Sequence, residues 1–104
     1  MYEELQEDVN NIKNQVIIKY KPKKIILFGS IAKGHVKKSS DIDLCIILNT
    51  PKTRELITKM YVEIESKNPF DLVLYTEKEW NDSCENSETF AYLINKEGVV
   101  LYGR

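Results

Sequence analysis

Cysteine, histidine and arginine are scarce in this chain: two, one and two residues among 104. Cys45 and Cys84 lack the close spacing of a metal site and are too few for a disulfide framework. Cys45 also falls inside an apolar run that reads as a buried strand, so a reducing cytoplasm is the expected compartment. The single histidine, His35, lies in a polar stretch and reads as a loop residue rather than a catalyst. Lysine supplies thirteen of the fifteen basic residues, beside twelve isoleucines and eight asparagines, and the asparagines weaken any reading of thermal adaptation. No apolar stretch approaches the roughly 18 residues that span a bilayer, and Met1-Tyr2-Glu3-Glu4 is no signal sequence. An excess of charge of one sign is missing too. With 15 basic and 16 acidic residues the net charge is -1, so no global attraction to nucleic acid or membrane is expected and an electropositive site has to be local. Neither an internal repeat nor a linker is visible, and the length suits a single domain, 1–104, with a modest core.

What is present is a regular succession of helical and strand patterns. Leu5, Val9, Ile12 and Val16 form one apolar stripe of a helix over residues 2–19, closed by Pro22 and followed by the basic connector Lys21 to Lys24. Ile25 to Phe28 is a continuous apolar run, as expected for a strand buried on both faces. A short helix over Ser30 to Lys33 and a polar loop over Gly34 to Ser40 lead to a second strand, Asp41 to Leu48. Thr50 as N-cap and Pro51 at the first helical position open a long helix carrying Leu56, Ile57, Met60, Tyr61 and Ile64 at helical spacing. Pro69 precedes a third strand, Phe70 to Tyr75. Thr76-Glu77-Lys78-Glu79 is a capping box that opens a third helical region, and Asn81 to Glu88 reads as loop or frayed helix. Phe90 to Asn95 is helical again, Gly98 stops it, and Val99 to Tyr102 forms a short edge strand or packs down. The order predicts an α/β fold: a small mixed β-sheet flanked by helices.

Chemistry concentrates between residues 25 and 48. Gly29 after the first strand permits a tight turn and close approach of backbone to a bulky anion. Ser30 adds a hydroxyl where a helix N-terminus would favour phosphate, although an isolated Gly-Ser is ordinarily a plain turn with a serine cap. Ten residues later Asp41-Ile42-Asp43 opens the next strand. Alternation places Asp41 and Asp43 on one face, their Cα atoms roughly 7 Å apart, where they repel unless a cation lies between them. Asp43 shares its face with Cys45 and Ile47, so an unpaired charge there is costly. Asp71 interrupts the third strand in the same way. If the second and third strands are neighbours, Asp41, Asp43 and Asp71 make a three-carboxylate platform for two Mg²⁺ ions.

Gly-Ser, ten residues, Asp-x-Asp and a later lone strand aspartate resemble the polymerase-β-type nucleotidyltransferase superfamily, and its smallest branch, the minimal nucleotidyltransferase (MNT) domains, most of all. Ala32-Lys33-Gly34, Ser40-Asp41-Ile42-Asp43-Leu44 and Lys96-Glu97-Gly98-Val99-Val100-Leu101-Tyr102 extend the similarity over nearly the whole chain. The resemblance implies the polymerase-β-type fold, with ATP as substrate. It also implies that Gly29 and Ser30 hold the triphosphate, that Asp41 and Asp43 ligate both Mg²⁺ ions, and that Asp71 ligates the catalytic ion and helps deprotonate the acceptor hydroxyl. Lys33 stands where many relatives carry arginine; it keeps the charge for a phosphate contact but not the bidentate geometry. His35, Lys37 and Lys38 are further groups for neutralising departing pyrophosphate, or simply a solvated basic loop.

Larger relatives append a helical domain that binds base, nucleic acid or antibiotic; no such segment follows here, so the acceptor is expected from another molecule. Single-domain MNT proteins typically pair with a HEPN-domain ribonuclease toxin and, as antitoxins, transfer AMP from ATP to one of its tyrosines. The resemblance therefore implies a protein adenylyltransferase with a HEPN partner. Two alternatives stay open: neutralisation by binding alone, through surfaces such as Leu5/Val9/Ile12 or Tyr61, Trp80 and Tyr92, and nucleotidyl transfer to RNA or a small molecule. Near-neutral charge argues against RNA.

Overall fold

The computed structural model describes residues 2–37 and 40–103. Along the chain run α1 (Tyr2–Tyr20), β1 (Lys24–Phe28), α2 (Gly29–Ala32), β2 (Ile42–Ile47), α3 (Thr53–Glu63), β3 (Phe70–Tyr75), α4 (Glu77–Ser83), α5 (Phe90–Glu97) and β4 (Val99–Tyr102). The strands form one sheet in the order β3-β2-β1-β4. β1 runs antiparallel to both β2 and β4, while β2 and β3 are parallel, so the sheet is mixed, as the element order predicts.

Because strand side chains alternate, each apolar strand feeds two cores. On one face Ile25, Leu27, Ile42, Leu44, Ile46, Leu72 and Leu74 meet Leu5, Val9, Ile12 and Val16 of α1, Ile31 of α2 and Met60 of α3. On the other, Ile26, Cys45 and Ile47 meet Trp80 of α4 and Ala91 and Ile94 of α5. The α1 stripe is thus core, and with Trp80 also buried, these residues do not offer the docking surface considered above. α1 ends as expected, with Lys21 at φ +50° just before Pro22. The capping box of α4 is complete: Glu79 N–H donates to Thr76 Oγ1 at 3.1 Å and Thr76 N–H to Glu79 Oε1 at 2.9 Å.

Two local expectations fail for identifiable reasons. α3 starts at Thr53, not after Thr50: the Thr50 hydroxyl does accept from Lys52 N–H at 3.3 Å, but Lys52 itself, at φ −132° and ψ 72°, lies outside the helical region. α2 covers Gly29–Ala32, one residue ahead of the expected Ser30 to Lys33, because the chain turns already at Gly29; Phe28 stands at its N-cap and no side chain caps it. Among the described residues no helix is long and apolar enough to cross a membrane.

Candidate active site

The sheet brings the three aspartates to one end. Asp43 pairs in register with Asp71 across the parallel β2–β3 ladder and with Phe28 at the end of β1. Register partners point to the same face, about 4.8 Å apart at Cα, and Asp41 precedes Asp43 by one repeat of the pleat. The strand adjacency that the site requires is therefore present. Asp43 lies on the α4–α5 face, in line with Cys45 and Ile47, just before the apolar cluster closes over the sheet. Burial, then the nearby carboxylates of Asp71 and Asp41, push the Asp43 carboxyl above its ordinary range. Asp41 and Asp71 are exposed.

Gly29 does more than turn the chain. Its φ of +79° belongs to the region that favours glycine, and a Cβ there would stand 2.2 Å from Asp43 Oδ2. The missing side chain lets the carboxylate press against the turn. Ser30 is exposed beside it, and with His35, Lys37, Ser40, Asp41 and Asp43 it lines an open cleft of about 480 Å³. Ser40 shapes this wall, since its hydroxyl accepts from Lys37 N–H at 2.7 Å. α2 is a single turn, four residues long, so its macrodipole adds little beside the Ser30 hydroxyl.

Lys33 goes elsewhere. Its Nζ lies 3.0 Å from Glu97 Oε2, beside a small hollow formed with Phe28, Phe90, Leu93 and Ile94, and it does not line the aspartate cleft. Lys38 lies outside the described residues. Nothing in the sequence pattern marks Glu97 as the partner of Lys33.

Fit to a divalent cation divides into placement and closure. Three hard oxygen donors on adjoining strand ends suit Mg²⁺, and the raised Asp43 carboxyl marks a place where positive charge would be welcome. Yet as the side chains stand, no group of three or more His, Cys, Asp or Glu among the described residues is drawn together closely enough to hold a metal ion. Carboxylates without a cation between them repel, so bringing the three around one ion would require rotation about their side-chain torsions. The strand register fits the group, and the side chains would have to close on it.

A mixed sheet with aspartates gathered at the open end of two parallel strands, beside a glycine turn, has the layout of a polymerase-β-like nucleotidyltransferase fold. The chain belongs to the family described as Polymerase beta, Nucleotidyltransferase, whose model matches residues 10–104. Its fold is also similar to the crystal structure of a putative nucleotidyltransferase from Sulfolobus solfataricus, with a TM-score of 0.61 over 97% of this chain and 87% of that one. Identity between the two is 18%, so this likeness speaks to fold alone. No curated protein gives a significant sequence match.

Proposed function

We propose that the protein is a Mg²⁺-dependent adenylyltransferase that moves AMP from ATP to a tyrosine of a partner HEPN-domain ribonuclease, and so acts as its antitoxin. The observation that carries the transferase chemistry is the register of Asp43 opposite Asp71, with Asp41 one repeat before and the Gly29 turn against it. In this reading Asp41, Asp43 and Asp71 hold the Mg²⁺ ions. Bound there, such ions supply charge neutralisation on phosphoryl oxygens and a lowered pKa for an attacking hydroxyl. Gly29 and Ser30 bind the phosphates, and His35 and Lys37 offset the charge of the departing pyrophosphate. Asp71, the more exposed carboxylate of the register pair, accepts the proton of the acceptor hydroxyl. A bond forms from that oxygen to the α-phosphorus as the bond to pyrophosphate breaks.

Support for an acceptor from outside comes from the cleft's chemistry. Every described residue that lines it is polar or charged, which suits phosphates and cations, and no purely apolar side chain stands among them to hold a base or a substrate ring. The HEPN partner and the antitoxin role rest on the motif resemblance described above. Incubation with labelled ATP, Mg²⁺ and the partner, followed by mass spectrometry, tests the reading. The unaltered chain should add AMP to a partner tyrosine, and Asp41→Asn with Asp43→Asn should lower the rate by at least about a hundredfold. Undiminished label with the double variant sinks it.

A second reading, neutralisation by binding alone, is favoured by apolar side chains left exposed on α5 and β4: Phe90, Leu93, Val99 and Val100. Cells protected equally by the double variant and the unaltered chain would favour that reading.

A further inference from the structure

We propose that Asp8 is a positioning residue for Asp71, acting through the loop that feeds β3. The inference rests on the nucleotidyltransferase reading of the aspartate site. Asp8 lies in α1, one turn after Leu5 and next to Val9, and is only 3% exposed. A buried carboxylate is costly unless donors surround it, and four hydrogen bonds do so. Lys67 N–H donates to both oxygens at 3.2 and 3.1 Å, Asn68 N–H to Oδ2 at 2.8 Å, and Asn68 Nδ2 to Oδ2 at 2.9 Å.

The grip continues along α1. Asn11 Nδ2 and Gln15 Nε2 donate to Glu65 C=O at 3.2 and 2.6 Å, and Glu65 N–H donates to Gln15 Oε1 at 2.9 Å. Asp8, Asn11 and Gln15, spaced by three and four, form a polar stripe of the helix that clasps residues 65–68. The consequence falls on the site. Pro69 follows Asn68 directly, and its carbonyl accepts from Ile42 N–H at 3.0 Å, starting the β2–β3 ladder. Two residues on, Asp71 meets Asp43. β3 is an edge strand, paired on one side alone, and Asp71 sits at its second residue. A slip of one residue would turn Asp71 to the opposite face of the sheet. The clasp fixes the chain three residues before Asp71 and so determines which way that carboxylate faces.

The test is titration of the full chain with Mn²⁺, a paramagnetic stand-in for Mg²⁺, reading free ion by EPR well below each variant's melting temperature. Asp71→Asn should weaken Mn²⁺ binding, and Asp8→Asn should weaken it about tenfold or more while the far-ultraviolet circular dichroism is retained. Because Asp8 acts through Asp71, the double variant should bind no more weakly than Asp71→Asn alone. A purely structural role would lower the melting temperature and leave the affinity of the folded protein unchanged. Full affinity in Asp8→Asn, or losses that add in the double variant, overturns the proposal for Asp8 alone. Full affinity in Asp71→Asn overturns the carboxylate reading and this inference with it. Should Asp8→Asn fail to fold, Gln15→Ala removes the outer arm of the clasp; it should weaken Mn²⁺ binding, and unchanged binding overturns the proposal.

Discussion

At position 43 a carboxylate stands on a strand face that passes, two residues later, into a buried apolar cluster. Burial and two neighbouring carboxylates raise its pKa, which means that the folded state disfavours the ionised form. Such a group contributes stability that is present below the unfolded pKa and lost as pH rises through the raised one. At neutral pH the ionised Asp43 is therefore a burden on the fold. Asn at this position keeps the shape and removes the charge. We expect Asp43→Asn to stabilise the protein by on the order of 0.5 kcal/mol, a few degrees in Tm, and, under the proposed function, to abolish AMP transfer. Thermal denaturation alongside the transfer assay checks both halves; a lower Tm would mean that the charge is compensated by a contact the fold relies on. The burden of Asp43 was legible in the sequence, as a charge set among Ile42, Leu44, Cys45 and Ile46. The raised contribution of Asp71 was legible only conditionally, since it needed β2 and β3 to be neighbours.

Among elements, β3 shows how an exposed sheet edge is managed. Leu72 N–H, which points away from β2, donates to the Tyr61 hydroxyl at 2.7 Å, and the Tyr61 ring stacks on Phe70 at 5.4 Å between centroids. A tyrosine of α3 thus covers the edge beside Asp71 and blunts it as a template for pairing. Tyr61→Phe retains the stacking and deletes the acceptor, and should cost about 1 kcal/mol in urea denaturation. A cost below about 0.3 kcal/mol would show that water replaces the hydroxyl fully. The strands themselves were readable because short apolar runs between Pro and Gly have few other destinations, and the α4 capping box was readable because both partners lie three residues apart. Helix starts fared less well. Thr50-Pro51 satisfies the same capping rule, but the backbone of Lys52 is not helical and the helix begins only at Thr53. The place of Lys33 was illegible for a related reason: a loop lysine can swing to either side of the turn, and its salt-bridge partner Glu97 is far away in sequence.

Across the whole molecule, α1 is joined to the α3–β3 segment by contacts that local periodicity cannot announce. Asp8 occupies a position on the apolar stripe between Leu5, Val9 and Ile12, which is a signal of something, but its donors are backbone amides 59 and 60 residues away. The far end of α1 is tied to the same region by a second polar contact. Tyr20 OH donates to Glu63 Oε1 at 2.5 Å, and burial together with the Glu63 carboxylate pushes the Tyr20 phenol to about 12 from its ordinary 10.0. The sign is that of a raised group: the stabilisation is complete below pH 10 and is lost as pH rises toward 12, because the unfolded chain releases the proton first. Alkaline unfolding should accordingly steepen between those two values. Lysines also deprotonate there, so the informative quantity is the difference between the unaltered chain and Tyr20→Phe. That variant should be less stable by about 1 kcal/mol at pH 8, given the partial exposure of the pair, and the gap should shrink as pH approaches 12. Denaturant titrations of both proteins at a series of pH values measure that gap. If it stays constant from pH 8 to 12, the hydrogen bond does not couple α1 to α3 through the phenol's proton, and the tie at this end is packing alone.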